Sequence, residues 1–231
     1  MRSGLLPPAA RWRFVAGAVL LGAGLAVQAA TGAADTTSAP KAAASAAPAA
    51  SVPKAKATTL GLYLTAGQAY RKWKSDPRGV KIIDVRTPEE SFFVGYAPMA
   101  WRIPVARISY VWDAGKQQYP MELLPDFVDR VATVAQPDDT LLVMCRSGGR
   151  SAIAVNLLAQ AGFRHVYNIV DGMEGDTVDD LTSVFHGQRV KNGWKNSGAP
   201  WTYKPSPERM VLTTQADVRP PANQTQQGVK Q

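Results

Sequence analysis

Cysteine and histidine are scarce in this chain. Its 231 residues include one cysteine, Cys145, and two histidines, His165 and His186. A single cysteine cannot form an internal disulfide, and it cannot supply a Cys-x-x-Cys pair for redox chemistry or for zinc. With so few histidines, a zinc site built from the usual cysteine and histidine ligands is not expected either. The composition therefore predicts no disulfide framework and no metal site, and we expect no cofactor.

Clusters of basic residues are absent from the middle of the chain. The formal net charge is +8, but Arg2, Arg11 and Arg13 belong to the N-terminal stretch. The middle has no Lys/Arg-rich block and no basic segment interleaved with aromatic residues, so nucleic acid is not expected as a partner. A modest positive charge suits small anionic substrates equally well.

The first 29 residues have the pattern of an export signal. Basic residues come first, and an uncharged stretch rich in Ala, Gly, Leu and Val runs from Phe14 to Ala30. Val27 and Ala29 are small residues at the −3 and −1 positions of a cleavage site. An uncleaved membrane anchor is the alternative, because the stretch is at the short limit for spanning a bilayer. In either case the positive-inside rule predicts that the rest of the chain is exported to the periplasm.

Low-complexity sequence flanks one region that can fold. Residues 30–59 are rich in Ala and Pro and have almost no large apolar side chains, so we expect an extended linker. Residues 204–231 are expected to form a disordered tail, although the short apolar run at Met210–Leu212 could lie on the domain surface. Residues 60–203 then form one domain of ordinary size.

Within residues 60–203, short apolar runs alternate with helical patterns. The sequence predicts strands at 80–85, 102–105, 140–144 and 165–170, and helices after Thr65, after Thr87, at 123–134 and at 151–161. Strands that alternate with helices predict an α/β domain with a mostly parallel sheet. In such sheets the binding site lies beyond the carboxyl ends of the strands, and Cys145 directly follows one of them.

The segment that begins at Cys145 is the most informative in the chain. Gly148 and Gly149 allow backbone dihedrals that let N–H groups curl around one point, and the helix that follows adds partial positive charge there. Arg146 and Arg150 add two cations. Together these groups favour the thiolate of the cysteine over its thiol. An ordinary buried cysteine before a turn is the alternative, but a plain turn does not need this combination of residues, with a capping serine after it.

This segment resembles the active loop of the rhodanese family, and three further stretches agree in the same order. Ile83–Glu90 resembles the family's Asp-Val-Arg strand and helix start, and Ala161–Tyr167 resembles the stretch after the active-site helix. Gly95–Pro104 is similar to the Gly-His-Ile-Pro-Gly-Ala segment, although Tyr96 and Met99 replace the usual His and Gly. The resemblance implies a rhodanese-like three-layer α/β domain, with a central mostly parallel sheet flanked by helices.

The resemblance also implies roles for single residues. Cys145 would be the catalytic nucleophile that carries sulfur, and the rest of the loop would bind the sulfur or its anionic donor: Arg146, Ser147, Gly148, Gly149, Arg150 and Ser151. The spacing Cys-x4-Arg resembles the sulfurtransferase loop. Related phosphatases and arsenate reductases use one more residue, and a phosphatase is the alternative within this fold.

Several charged residues near the loop are expected to be structural. Asp84 and Arg86 lie at a strand end, where an ion pair that ties the strand to a neighbouring element is favoured over a catalytic role. Asp171 and Asp176 are interpreted as turn or cap residues. Glu174 lies between them, and an influence of these acids on substrate choice stays open.

The expected function is transfer of a sulfane sulfur from thiosulfate or a similar small anionic donor, through a persulfide on Cys145, to an external acceptor. Because the chain has no second cysteine, the acceptor must be cyanide, sulfite, a small thiol or a protein thiol. The alternatives are a persulfide carrier that serves a partner protein in the periplasm, and a sulfur-binding or interaction module without enzymatic activity.

Overall fold

The computed structural model describes residues 52–204 and 206–212. In chain order its elements are β1 (Tyr63–Leu64), α1 (Ala66–Ser75), β2 (Val80–Asp84), α2 (Pro88–Phe93), β3 (Trp101–Arg102), β4 (Ala106–Ile108), β5 (Met121–Leu123), α3 (Phe127–Ala132), β6 (Thr140–Met144), α4 (Gly149–Gln160) and β7 (His165–Ile169). Short 3₁₀ turns at Lys54–Lys56 and Trp194–Asn196 precede and follow them.

The export signal predicted for residues 1–29 lies outside the described residues and stays a prediction. Among the residues that are described, no helix has both the length and the apolar character needed to cross a bilayer.

Five strands form one parallel sheet in the order β1-β7-β6-β2-β3. The strand β6 lies at its centre, paired along its length with β2 from Thr140 opposite Val80 to Met144 opposite Asp84. On its other side β6 pairs in parallel with β7. The prediction of an α/β domain with a parallel sheet is confirmed, and the central strand is the one that leads into Cys145.

Both faces of the sheet are covered, which makes the domain three layers thick. Leu141, Val143 and Cys145 belong to a buried core that also contains the apolar side chains of α3 and α4. Leu142 and Met144 belong to a second core that contains the buried alanines of α1. This alternation follows from the two-residue period of a strand, and it points Cys145 to the same face as α4.

Two threonines start helices as the sequence predicts. The Thr65 hydroxyl accepts a hydrogen bond from the backbone N–H of Gln68, whose side chain accepts one from Thr65 N–H in return. Thr87 and Glu90 make the same reciprocal pair at α2, with Pro88 in the first helical position. Such capping boxes satisfy N–H groups that the helix itself leaves without partners.

The prediction of a helix at 123–134 is wrong for residues 123–126. Met121–Leu123 instead forms β5, which pairs antiparallel with β4, and the helix covers only Phe127–Ala132. The reason is Pro125, which disfavours the helical conformation for the residue before it. Leu124 accordingly donates its N–H to the Val105 carbonyl at 2.9 Å, outside any helix.

Two other element boundaries also differ from the prediction. The helix α4 begins at Gly149 with Gly148 as its cap, so Ser151 lies inside the first turn and is not a capping residue. The strand predicted at 102–105 is shorter, because only Trp101–Arg102 pairs with β2 before Pro104, which has no N–H to donate, interrupts the ladder.

The end of the predicted linker lies against the domain. The Lys56 carbonyl accepts a hydrogen bond from the Asn168 amide at 2.9 Å, and Thr59 N–H donates to Asn156 Oδ1 at 2.9 Å. Lys56 Nζ also contacts Asp176 at 2.7 Å. Residues 54–59 are therefore part of the folded unit. The segment has few large apolar side chains, and polar contacts order it instead.

Part of the predicted tail likewise adds to the sheet edge. Arg102 N–H donates to the Arg209 carbonyl at 2.6 Å, and Val211 N–H donates to the Arg102 carbonyl at 3.0 Å. The buried Arg102 guanidinium also bonds the carbonyls of Ser206 and Glu208. Met210 thus forms an isolated parallel bridge with Arg102 at the edge of the sheet, and Val211 packs against the core that also contains side chains of α3 and α4.

Asp171 joins two distant parts of the chain. Its buried carboxylate accepts the Ala66 N–H at 2.7 Å and the Gly193 N–H at 3.0 Å. Burial raises the pKa of this carboxyl, and the two N–H donors offset part of that effect. The interpretation of Asp171 as a cap residue therefore agrees with its contacts at the start of α1.

We expect Asp171→Ala to destabilise the domain by about 2–3 kcal/mol, because it leaves two buried N–H groups without an acceptor. Urea denaturation followed by circular dichroism measures this difference. Asp179→Ala, at an exposed position in the following loop, is the matched control. Equal midpoints for the two variants would contradict the role given to Asp171.

Candidate functional site

Cys145 lies where β6 ends and the loop to α4 begins. Only 2% of the residue is exposed, yet it borders an open cleft of about 510 Å³. This cleft, called the sulfur cleft below, is lined by the loop and by residues that face it: Thr87, Glu90, Ile108, Met121, Cys145, Arg146, Ser147, Gly149, Arg150 and Arg189. The sulfur is therefore shielded from solvent on most sides and reachable from one.

The loop curls back onto the cysteine at Gly148. The backbone N–H of Gly148 donates to Cys145 Sγ at 3.2 Å. Gly148 has a φ of +100°, and a Cβ atom there would overlap the carbonyl of Val170. Only glycine fits such a position without strain. The expectation that the two glycines aim backbone donors at one point is therefore correct for Gly148.

Ser151 and Asn168 form a hydrogen-bonded chain behind the sulfur. Ser151 Oγ lies 3.4 Å from Cys145 Sγ and 2.7 Å from Asn168 Oδ1. Because a hydroxyl has one proton, Ser151 donates either to an anionic sulfur or to Asn168. In the second case its oxygen can accept from a neutral thiol. Ser151 thus lies between the sulfur and Asn168 and can donate its proton to one of them at a time.

The orientation of Asn168 is fixed by the other end of its amide. Its Nδ2 donates to the Lys56 carbonyl at 2.9 Å and to the Gly148 carbonyl at 3.1 Å. Both donors are therefore used, and Oδ1 must face Ser151. Asn168 is fully buried on β7, and its role does not follow from the strand pattern of the sequence.

Arg150 is held by an acid from another helix. Its two Nη atoms contact the carboxylate of Glu90 at 2.6 and 2.7 Å. Burial would lower the pKa of Arg150, but the hydrogen bonds and charge of Glu90 outweigh it and hold that pKa above its usual value. Conversely, burial would raise the pKa of Glu90, and Arg150 holds it below the usual 4.5. The pair thus links α2 to the loop.

Arg146 also has an acidic partner. Its Nε lies 3.3 Å from Glu174 Oε2, and half of the Arg146 side chain is exposed. The sequence predicted that both arginines favour the thiolate and bind the sulfur or its donor. In the structure each of these arginines is paired with a glutamate, and the backbone donors and the start of α4 provide further positive groups near Sγ.

Asp84 and Arg86 form a fully buried ion pair beside the loop. Arg86 Nη2 contacts Asp84 Oδ2 at 2.7 Å and donates to the Gly95 carbonyl at 2.9 Å. Burial would lower the pKa of Arg86, but Asp84 outweighs it and the pKa lies above the usual value. The pair ties the end of β2 to the segment after α2, as expected for a structural role.

The structure brings every predicted loop residue to the sulfur cleft or to the atoms directly behind it. Asp171 and Asp176 are engaged elsewhere, with the start of α1 and with Lys56. Glu90 and Arg189 were not predicted. A Thr-x-x-Glu pattern next to a strand end was visible for Glu90, but no local signal marks Arg189 or Asn168. In the parts of the chain that the structure describes, no three His, Cys, Asp or Glu side chains are grouped to hold a metal ion.

Comparison with known proteins gives the family. The model of the rhodanese-like domain matches residues 66–177. A Rickettsia prowazekii protein called uncharacterized protein RP600 is 31% identical over 124 residues, which are 53% of this chain and 82% of that protein. This chain belongs to the rhodanese-like domain family.

Other relatives of this rhodanese-like protein carry more specific names. Thiosulfate sulfurtransferase 16 of Arabidopsis thaliana, a chloroplast protein, is 37% identical over 94 residues, or 41% of this chain and 71% of its own length. Among solved structures, Rv0390 from M. tuberculosis superposes with a TM-score of 0.46 at 25% identity, covering 61% of this chain and 96% of that one. Family membership makes sulfurtransferase activity the expected chemistry of the domain.

We expect Glu90→Gln to destabilise the domain in a pH-dependent way. Because the pKa of Glu90 is lowered in the folded state, its stabilisation is present above pH 4.5 and is lost as the pH falls through the folded value. The difference in unfolding free energy between wild type and variant should be about 2 kcal/mol near pH 7, since the pair is mostly buried. Urea titrations between pH 7 and pH 3 measure it.

Glu89→Gln, one position away and exposed in the same first turn, is the control for loss of a charge at the helix start. A difference for Glu90→Gln that stays constant across the acid range would contradict the ion-pair account.

We expect Ser151→Ala to slow alkylation of Cys145 by iodoacetamide. The variant loses the hydroxyl that can donate to the sulfur anion, and one hydrogen bond to a charged group of about 1.5 kcal/mol corresponds to a fall of about tenfold at neutral pH. Stopped assays read by mass spectrometry give the rate. Ser91→Ala, a buried serine on α2, should react at the wild-type rate, and an equal loss in both variants would contradict the proposed contact.

Proposed function

We propose that this protein is a sulfurtransferase that moves a sulfane sulfur from thiosulfate, or a similar small anionic donor, to an external acceptor through a persulfide on Cys145. The observation that carries the proposal is the geometry around one atom. Cys145 Sγ faces a cleft and lies within 3.2 Å of the Gly148 N–H and 3.4 Å of the Ser151 hydroxyl. The name of the Arabidopsis relative, a thiosulfate sulfurtransferase, supports the choice of donor.

The first half-reaction loads the cysteine. The Cys145 thiolate attacks the outer sulfur of thiosulfate and forms a new S–S bond. The original S–S bond of thiosulfate breaks, and its electron pair leaves with sulfite. The product is a persulfide anion on Cys145. Charge and atoms balance without an added oxidant or reductant, because sulfite takes both electrons of the broken bond.

The second half-reaction unloads the cysteine. A nucleophile such as cyanide attacks the outer sulfur of the persulfide, and the S–S bond breaks with its electron pair on Cys145. Thiocyanate leaves, and the thiolate is ready for another donor. Since Cys145 is the only cysteine of the chain, no internal thiol can take the sulfur, and the acceptor must come from solution or from another protein.

The site supports both steps through donors that belong to the backbone. The first N–H groups of α4 lack partners within the helix, and they point toward the end at which Cys145 lies. Backbone donors and the helix dipole stabilise the thiolate before attack and the persulfide anion after it. Because Glu90 and Glu174 compensate the loop arginines, these fixed dipoles hold the sulfur anion.

The test is the mass of the intact protein after incubation with thiosulfate and removal of excess donor. We expect one added sulfur on wild type, lost on addition of cyanide with release of one equivalent of thiocyanate. Cys145→Ala should gain no sulfur and form no thiocyanate above background. A second sample with catalytic amounts of protein measures turnover.

Three results separate the candidate functions. Loading followed by many turnovers supports the enzyme. Loading with a single, stoichiometric release and no turnover supports the alternative of a persulfide carrier. If the wild-type protein gains no sulfur from thiosulfate or polysulfide, both the enzyme and the carrier are contradicted. An interaction module without enzymatic activity is then the remaining candidate.

A further inference from the structure

A second cleft, called the side cleft here, adjoins the sulfur cleft. Its volume is also about 510 Å³, and its walls come from two regions: Arg146 and Glu174 near the loop, and Thr177, Gly187, Gln188, Arg189, Val190, Lys195 and Asn196 farther along the chain. The family model ends at residue 177. Most of this wall therefore lies outside the matched domain.

The side cleft has an excess of positive charge. Its acid, Glu174, is paired with Arg146 at 3.3 Å. In residues 52–204 and 206–212, neither Arg189 nor Lys195 makes an ion pair with a carboxylate. Two cations that no acid neutralises thus line one small cleft, which favours an anionic ligand.

Both cations are held in place by neutral groups. The Arg189 guanidinium donates to the Gly175 carbonyl. Lys195 Nζ donates to the Val94 carbonyl at 3.1 Å and lies 4.3 Å from the centre of the Trp201 ring. Carbonyl dipoles and an aromatic face position a cation without cancelling its charge. These side chains are therefore preorganised to bind an anion, which distinguishes them from freely solvated surface lysines.

The two clefts share a border. Arg146 and Arg189 line both of them, so one molecule can place a sulfur at Cys145 and a second group in the side cleft. Thiosulfate is too compact to do this, because its anionic group is bonded directly to the sulfur that is attacked. The molecule that needs the extra space is the acceptor.

We propose that Arg189 and Lys195 form a subsite for the carboxylate end of an acceptor thiol, so that the acceptor is a small carboxylated thiol of peptide size. This inference rests on the proposed function. The acceptor thiolate attacks the outer sulfur of the Cys145 persulfide and becomes a persulfide itself. The old S–S bond breaks with its electron pair on Cys145, and no further reactant is consumed.

The test uses protein loaded with sulfur from thiosulfate and discharged by one of two probes. Glutathione has two carboxylates around its cysteine, and its dimethyl ester has the same skeleton without those charges. We measure the second-order rate constant of discharge for each probe and take their ratio. The intrinsic reactivity of the two thiols cancels when ratios are compared between proteins.

The expected ratio in wild type is about tenfold higher than in the variant Arg189→Gln/Lys195→Gln, because two charge-assisted contacts are lost. The ratio should also fall as salt rises from 20 mM to about 500 mM, since partly exposed charges are screened. Lys191→Gln, which removes a cation from the same segment outside the side cleft, should keep the wild-type ratio.

Two failures are distinguishable. If wild type loads with sulfur and is discharged by cyanide, but the glutathione-to-ester ratio is the same in wild type and the double variant, the side cleft does not bind the acceptor and the proposed function stands. If wild type does not load, or if neither cyanide nor glutathione discharges it, the proposed function fails and this inference fails with it.

Discussion

The Gly148 N–H reaches the Cys145 sulfur only because Gly148 takes a left-handed backbone conformation against the Val170 carbonyl. The rest of the site depends on this turn. It places the first residues of α4 around the sulfur, and it brings the Gly148 carbonyl to the Asn168 amide at 3.1 Å. The turn itself is held because β6 and β7 are neighbours in the sheet. The loop after β6, the start of α4 and the strand β7 thus all place groups close to Cys145 Sγ.

Compensated charge is the second general feature of the site. Arginines beside a reactive cysteine suggest free cations, but here Arg150 and Arg146 are each paired with a glutamate. An arginine that is paired in this way holds the loop in position, and its charge attracts an anion less strongly. The uncompensated cations, Arg189 and Lys195, lie farther out, beyond the matched domain. Under the proposed function, the groups that hold the sulfur are therefore separate from the cations that we propose for binding the acceptor.

Much of the fold follows from local sequence, because its signals are local. The capping boxes at Thr65 and Thr87 are set by side chains three residues apart, and the strand at 140–144 is a continuous apolar run. The β4–β5 hairpin was not predicted from the sequence, because its strands are three residues long and mostly exposed. The roles of Asn168 and Arg189 were also not predicted from the sequence. Their roles come from residues that meet only in the folded sheet or in the long loop after β7.

If the proposed function is correct, sulfur passes through Cys145 on every turnover. The most direct measurement follows thiosulfate labelled with ³⁵S in its outer position, rapidly mixed with the protein and then with cyanide. The label is expected first on the peptide that contains Cys145 and then in thiocyanate, with a discharge rate at least equal to kcat. Labelled thiocyanate that forms faster than the Cys145 peptide is loaded and discharged, or that forms equally with Cys145→Ala, would contradict it.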